Sequence, residues 1–170
     1  MKHPKTKRAA VVRKVIGLVD PEKVDGAYKS YASILAEPEL LEKALLLDVR
    51  ADEVPLAIPV GKSRCGGMLE FSDKREANKA VRLLAKRRGF PNPRVIERRT
   101  DAVYWQVRWG IPPPFDGMGQ EVSCNILLGV RYGYSDMAIT IFAAKRLKSE
   151  GRNWTPEKIF SFVQSARYPQ

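Results

Sequence analysis

The chain has one histidine, two cysteines and no long apolar run in its 170 residues, and each scarcity removes a class of function. The lone His3 rules out Ser-His and Cys-His nucleophilic pairs, histidine general bases and nearly every zinc site. Cys65 and Cys124 are too few for a disulfide framework and read as reduced thiols packed as small hydrophobes. No segment approaches the roughly 20 apolar residues needed to span a bilayer. The N-terminus also lacks a signal-peptide core, so the expected compartment is the cytoplasm and no membrane partner is implied.

What is abundant is positive charge. Thirty Lys and Arg against 19 Asp and Glu leave a net charge of +11. Residues 1–14 carry +6 and residues 85–99 carry +5, which accounts for the whole excess. A surplus confined to two patches suits a polyanionic partner better than a uniformly basic surface does. With 44% hydrophobic and 29% charged residues, the remainder is ordinary globular material. Residues 1–10 read as a disordered basic tail and residues 11–170 as one domain.

The pattern along the chain predicts an α+β fold. Residues 11–20 alternate as a first strand ended by Pro21, and a helix over about 22–46 is interrupted at Glu37 by Pro38. Strands follow at 45–50 and 54–60 around the turn "ADE". In the second, Pro55, Ala57 and Pro59 share one backbone side, which predicts an edge strand left unpaired there. "GGMLEFS" (66–72) is the next strand. Asp73 and Glu76 then cap a helix that Gly89 stops, with Ala77, Ala80, Val81 and Leu84 as its apolar stripe. Residues 94–99 and 102–109 form a hairpin in which Val103, Trp105, Val107 and Trp109 face the core. Residues 122–130 read as a strand. Two closing helices, 136–149 and 156–167, are started by Ser135 and by Thr155 with Pro156. The predicted fold is an antiparallel sheet, ferredoxin-like with an extra strand, covered mainly on one face by helices.

Four motif fragments yield to simpler readings. Gly61-Lys62-Ser63 ends like a phosphate-binding P-loop, but Leu56 stands where the leading glycine belongs and a strand follows, so a tight turn is expected. Glu70, Asp73 and Lys74 are the only tight carboxylate–lysine set, and Asp73 is already needed as a cap. The stretch from Arg64 to Leu84 resembles the third strand and second helix of an RNA-recognition motif. Gly66 and Met68 occupy its base-stacking aromatic positions, so that platform is missing. The closing helices resemble a helix-turn-helix, yet their link is too long; Ile159, Phe160 and Val163 are expected to pack on the sheet.

"AIPVGKSRCGG", "RRGFPNPRV", "VRWGIPPP" and "YGYSDMAITIF", in that order, resemble a family of small actinobacterial proteins classed as a domain of unknown function. The likeness covers about residues 28–145 and implies a bacterial cytoplasmic protein, with no activity, cofactor or catalytic residue attached.

The functional reading from the residues is a non-enzymatic nucleic-acid-binding protein, with no cofactor and no metal. Arg75, Lys79, Arg82 and Lys86 recur at helical spacing as a cation ladder. The ladder runs into Arg87, Arg88, Arg94, Arg98 and Arg99, expected to form one continuous rim that holds phosphates. Tyr104 and Arg108 would add a stacking face. The alternative is a protein-interaction module, an adaptor or regulator of mobile-element type, meeting an acidic partner through the 54–60 edge strand or the "YGYSD" surface.

Overall fold

The computed structural model describes residues 21–47, 55–99, 102–111 and 122–167. The expected tail and first strand (1–20), the "ADE" turn and most of the "GIPPPFDGMGQ" connection lie outside the described residues.

Helix α1 (Pro21–Ile34) opens with proline at its first position and ends three residues before the break expected at Glu37. Pro38 restarts the chain as a single 3-10 helix, Pro38–Lys43, which buries Leu40 and Leu41. It ends before residue 46 because Ala44 is already extended and leads into β1 (Leu45–Leu46). β1 pairs antiparallel with β2 (Leu56–Ala57) for two residues only. The expected unpaired side of this strand is in fact the paired one, since Pro55 lacks an N–H but its carbonyl accepts from Leu47 N at 3.1 Å. The other side is closed by side chains and a turn. Ile58 O accepts from Trp109 Nε1 and Arg64 Nε, while Val60 N donates to Gly89 O. The strand is therefore buried, with Leu56, Ala57 and Ile58 at 2% exposure or less.

A second sheet holds β3 (Gly66–Phe71), β4 (Arg94–Arg99) and β5 (Val103–Gly110) in the order β3-β5-β4. β5 is antiparallel to both neighbours, so β3 and β4 run parallel across the intervening helix α2 (Lys74–Leu84). This split β-α-β unit is one half of a ferredoxin-like layout. Its strands and helix lie within residues 66–99, with β5 between the two strands. Leu69, Phe71, Val95, Trp105, Val107 and Trp109 cluster beneath Ala77, Ala80 and Leu84 of α2. Val103 departs from the expected core set: it is 48% exposed at the hairpin end.

Residues 122–130 are not a strand. They form helix α3 (Val122–Arg131). Their apolar residues also alternate, but of the buried residues Val122, Ile126, Leu128 and Gly129, the set 122, 126 and 129 follows the helical period. The neighbouring helices settle the ambiguity. α4 (Asp136–Ser149) and α5 (Pro156–Arg167) bring Ile139, Ala143, Leu147, Ile159 and Val163 onto Val122 and Ile126. The closing helices thus pack with α3 and not on the sheet, and Phe160 is left 46% exposed. Their caps are as read, with Ser135 Oγ accepting from Ala138 N and Thr155 Oγ1 from Lys158 N. Among the described residues no helix is long and apolar enough to cross a membrane.

The "YGYSD" segment joins the two halves. Ala36 N donates to Gly133 O and Ser135 N to Ile34 O, while Cys65 N donates to Arg131 O. Arg64, 5% exposed, donates to Ile58 O and Tyr132 O and lies 5.7 Å from the Tyr132 ring centre. Gly133 has φ +70, and a Cβ there would stand 2.7 Å from the Arg64 Cβ. Gly133→Ala should therefore cost about 1–3 kcal/mol, combining left-handed strain with a clash against buried atoms. Urea unfolding measures this, and a change within 0.5 kcal/mol of zero, roughly the spread of a neutral surface substitution, would contradict the packing described.

The Gly61-Lys62-Ser63 turn holds an anion, but an internal one. The N–H groups of Lys62 and Ser63 and the Ser63 hydroxyl all donate to the Glu37 carboxylate. Burial pushes the Glu37 pKa up, but the donors from Ser63 and Lys62 outweigh it and hold the carboxyl below its ordinary range. A depressed folded-state pKa contributes stability above the unfolded value and loses it as pH falls through the folded one. Wild type should therefore be more stable than Glu37→Gln near pH 6, with the gap closing below about pH 4. Unfolding titrations at the two pH values check this; a pH-independent gap would count against the latch.

Candidate nucleic-acid interface

The predicted contact residues come from three places in the fold, and α2 supplies most of them. Asp73 caps the helix by accepting from Arg75 N at 2.6 Å, which sets its start. At about 100° per residue, Ala77, Ala80 and Leu84 fall on one side and are fully buried. Arg75, Lys79, Arg82 and Lys86 fall on the opposite side, and all four are exposed. The helix is pinned by its apolar stripe, so the cations point straight away from the sheet.

Gly89 does not end the α-helix, as the sequence suggests. The helix stops at Leu84 with Ala85 as cap, and Arg87 N still donates to Leu84 O. Gly89 acts later, at φ +95, where a Cβ would come within 2.7 Å of Pro59. It turns the chain so that Phe90 enters the core against Trp109, with ring centres 5.6 Å apart. Gly110 N then donates to Pro91 O. The "GFPNP" turn is thus an anchored corner, and it fixes Arg87 and Arg88 in exposed positions next to the end of the ladder.

The continuous rim is not formed beyond that point. Arg94 and Arg98 lie on the sheet face away from α2, whereas Val95, Glu97 and Arg99 lie on the α2 side, because neighbouring strand residues point to opposite faces. Arg99 is paired with Glu97 at 2.7 Å in an exposed bridge. On the far face Arg98 and Arg108 both donate to Gln106 Oε1, and Gln106 Nε2 donates to Glu70 at 2.8 Å. Arg108 is 6% exposed and Gln106 2%, since β5 is the central strand. Tyr104 and Arg108 share this face but sit on either side of Gln106, so they do not make the expected stacking pair. The Glu70–Gln106–Arg98 grouping escaped the sequence reading, although period-two alternation with the correct strand order would have placed all three together.

The other candidates resolve simply. Asp73 is a cap and Glu70 belongs to the Gln106 network. Among the described residues no group of three or more His, Cys, Asp or Glu is placed to hold a metal ion. Cys65 is exposed and free, not packed as expected, and Cys124 is half-buried and free. The polar side chains of α5 that a helix-turn-helix would use to read bases, Lys158, Gln164 and Arg167, are engaged internally. Gln164 and Arg167 bind Asp136, and Lys158 sits 4.6 Å from the Trp154 ring centre.

The motif segments that carry the family resemblance meet at one end of the three-stranded sheet. Trp109 Nε1 binds Ile58 O, Val60 N binds Gly89 O, Ile111 N binds Cys65 O, and Arg64 reaches Tyr132. No curated protein and no solved structure matches the chain. A family described as of unknown function (DUF6302) matches residues 19–164, which extends past the expected 28–145 into the last helix. The chain belongs to that family of unknown function, DUF6302.

Proposed function

We propose that this is a non-enzymatic nucleic-acid-binding protein that grips the phosphate backbone through the outer stripe of α2. One observation carries the reading. Arg75, Lys79, Arg82, Lys86, Arg87 and Arg88 are all exposed along one rigid helix and its exit, and none has an ion-pair partner among the described residues. Lysine and arginine placed so close together repel one another in the free protein, and a polyanion relieves that repulsion. Within the helix the rises from Arg75 to Lys79 and on to Arg82 are about 6 and 4.5 Å, close enough for neighbouring cations to meet neighbouring phosphates. No aromatic residue lies on the stripe, so the expected binding is to backbone and not to bases. Arg94, Arg98, Arg99, Tyr104 and Arg108 take no part in this grip.

The two surfaces first considered for a protein-interaction role are engaged within the fold over much of their described length. Residues 55–59 are buried, and "YGYSD" is tied to α1, Arg64 and α5.

Contact with about five phosphates gives a log–log salt dependence of affinity near −4 to −5 on duplex DNA. Replacing Arg82, Lys86, Arg87 and Arg88 by Gln should flatten that slope by up to about 4 units, with little dependence on sequence. The Arg94→Gln control should leave it unchanged. Stability should hardly move, because exposed unpaired cations contribute little to the fold. Fluorescence anisotropy across a salt series reads the slope, and a wild-type protein that ignores DNA and RNA at low salt would end this reading.

A further inference from the structure

The helical half carries a second surface that the phosphate grip does not use. Seven large apolar side chains are exposed among the described residues, and four of them are gathered on α4 and α5. Met137, Ile141 and Phe142 of α4 are 72%, 63% and 51% exposed, and Phe160 of α5 is 46% exposed. Phe160 lies one turn before Gln164, the residue that reaches Asp136 at the start of α4, and so stands beside the contact between α4 and α5. α4 is apolar on both sides over its first two turns. Ile139, Ala143 and Leu147 already serve the core, and the opposite face serves nothing within the described fold. Farther along the exposed face the character changes to Lys145 and Lys148, with Arg152 beyond. Two open depressions flank this basic end, of about 440 Å³ beside Phe142 and Lys145 and about 300 Å³ beside Lys148 and Arg152.

We infer that this face docks an amphipathic helix of another protein, apolar along one half and acidic along the other. The outer face of α4 offers apolar anchors at Met137 and Ile141, four residues apart and so on one side of the helix, the spacing at which a partner helix is read. Charge complementarity selects the occupant. A second copy of this chain laid antiparallel would set Lys145 and Lys148 against the positive end of the α4 dipole. Laid parallel, it would stack lysine on lysine, and each copy already carries +11. An anionic membrane would favour cations ringing the apolar patch, whereas here they are collected at one end. A helix running along α4 with its leucines over Met137 and Ile141 and its acids over Lys145 and Lys148 satisfies both halves.

The test uses the full-length protein and a designed peptide with leucines at i, i+4 and i+7 followed by a glutamate-rich turn, beside a control in which the glutamates are lysines. Calorimetric titration should show binding of the acidic peptide and at least tenfold weaker binding of the control. Ile141→Asp should weaken the acidic peptide at least tenfold, and Lys145→Glu with Lys148→Glu should shift preference toward the control. Both variants should retain the wild-type melting temperature and the wild-type salt slope on DNA, which separates this surface from α2. Four outcomes would overturn the inference: no peptide binding, equal binding of both peptides, binding indifferent to Ile141→Asp, or anionic vesicles bound while the peptide is not. Sedimentation showing a wild-type dimer that Ile141→Asp dissolves would assign the face to a second copy instead.

Discussion

The buried cation Arg64 sits where the two halves of this protein meet, beside the backbone hydrogen bonds of the connector. The Arg64 guanidinium is withdrawn from water, and burial pulls its pKa down, with Tyr134, Tyr31 and Tyr132 opposing. No carboxylate among the described residues neutralises it. Its charge is met by the carbonyls of Ile58 and Tyr132 and by the face of the Tyr132 ring. Hydrogen bonds to a charged group are worth about 1.5–3 kcal/mol each, and a charge left without them would be costly. Arg64 therefore fixes how the loop before β3 and the connector after α3 must approach each other. Gly133 is required beside it because any side chain would meet Arg64.

From that junction the architecture divides the chemistry. On one side, the split β-α-β unit buries α2 along one stripe and leaves its cations outward. On the other, three helices close a separate core around Ile126, Ile139 and Ile159 and leave the outer face of α4 without a partner among the described residues. Neither outer surface shares a residue with the junction. The connector itself is spent on structure: Asp136 binds Gln164 and Arg167, and burial pushes the Tyr134 phenol up to about 12.

Arginines that look equivalent in composition have diverged in role through burial alone. Arg64 and Arg108 are 5% and 6% exposed and are held by acceptors within the fold, whereas Arg82, Arg87 and Arg88 are open to solvent. Glu37 shows the same logic with opposite sign. A turn that resembles part of a phosphate cradle is filled by the chain's own carboxylate.

Local signals were legible wherever one residue's chemistry had one outcome. Asp73, Ser135 and Thr155 cap helices because their side chains satisfy backbone N–H groups within a few residues. The cation ladder of α2 follows from spacing on a helix whose apolar stripe is unmistakable. Pro38 breaks the first helical segment for lack of an N–H. Other features depended on what packs where, which spacing does not encode. Residues 122–131 satisfy both a strand and a helix pattern, and only the neighbours α4 and α5 selected the helix. Arg108 reads as a surface residue by alternation, but the central place of β5 buried it. Arg98 and Arg99 read as one basic patch, although the alternation of the predicted strand already sends such neighbours to opposite faces. The sequence by itself determined which segments carry caps, stripes and charge. Tertiary structure decided which charges remain outside, because burial depends on strand order and helix neighbours that are distant in the chain.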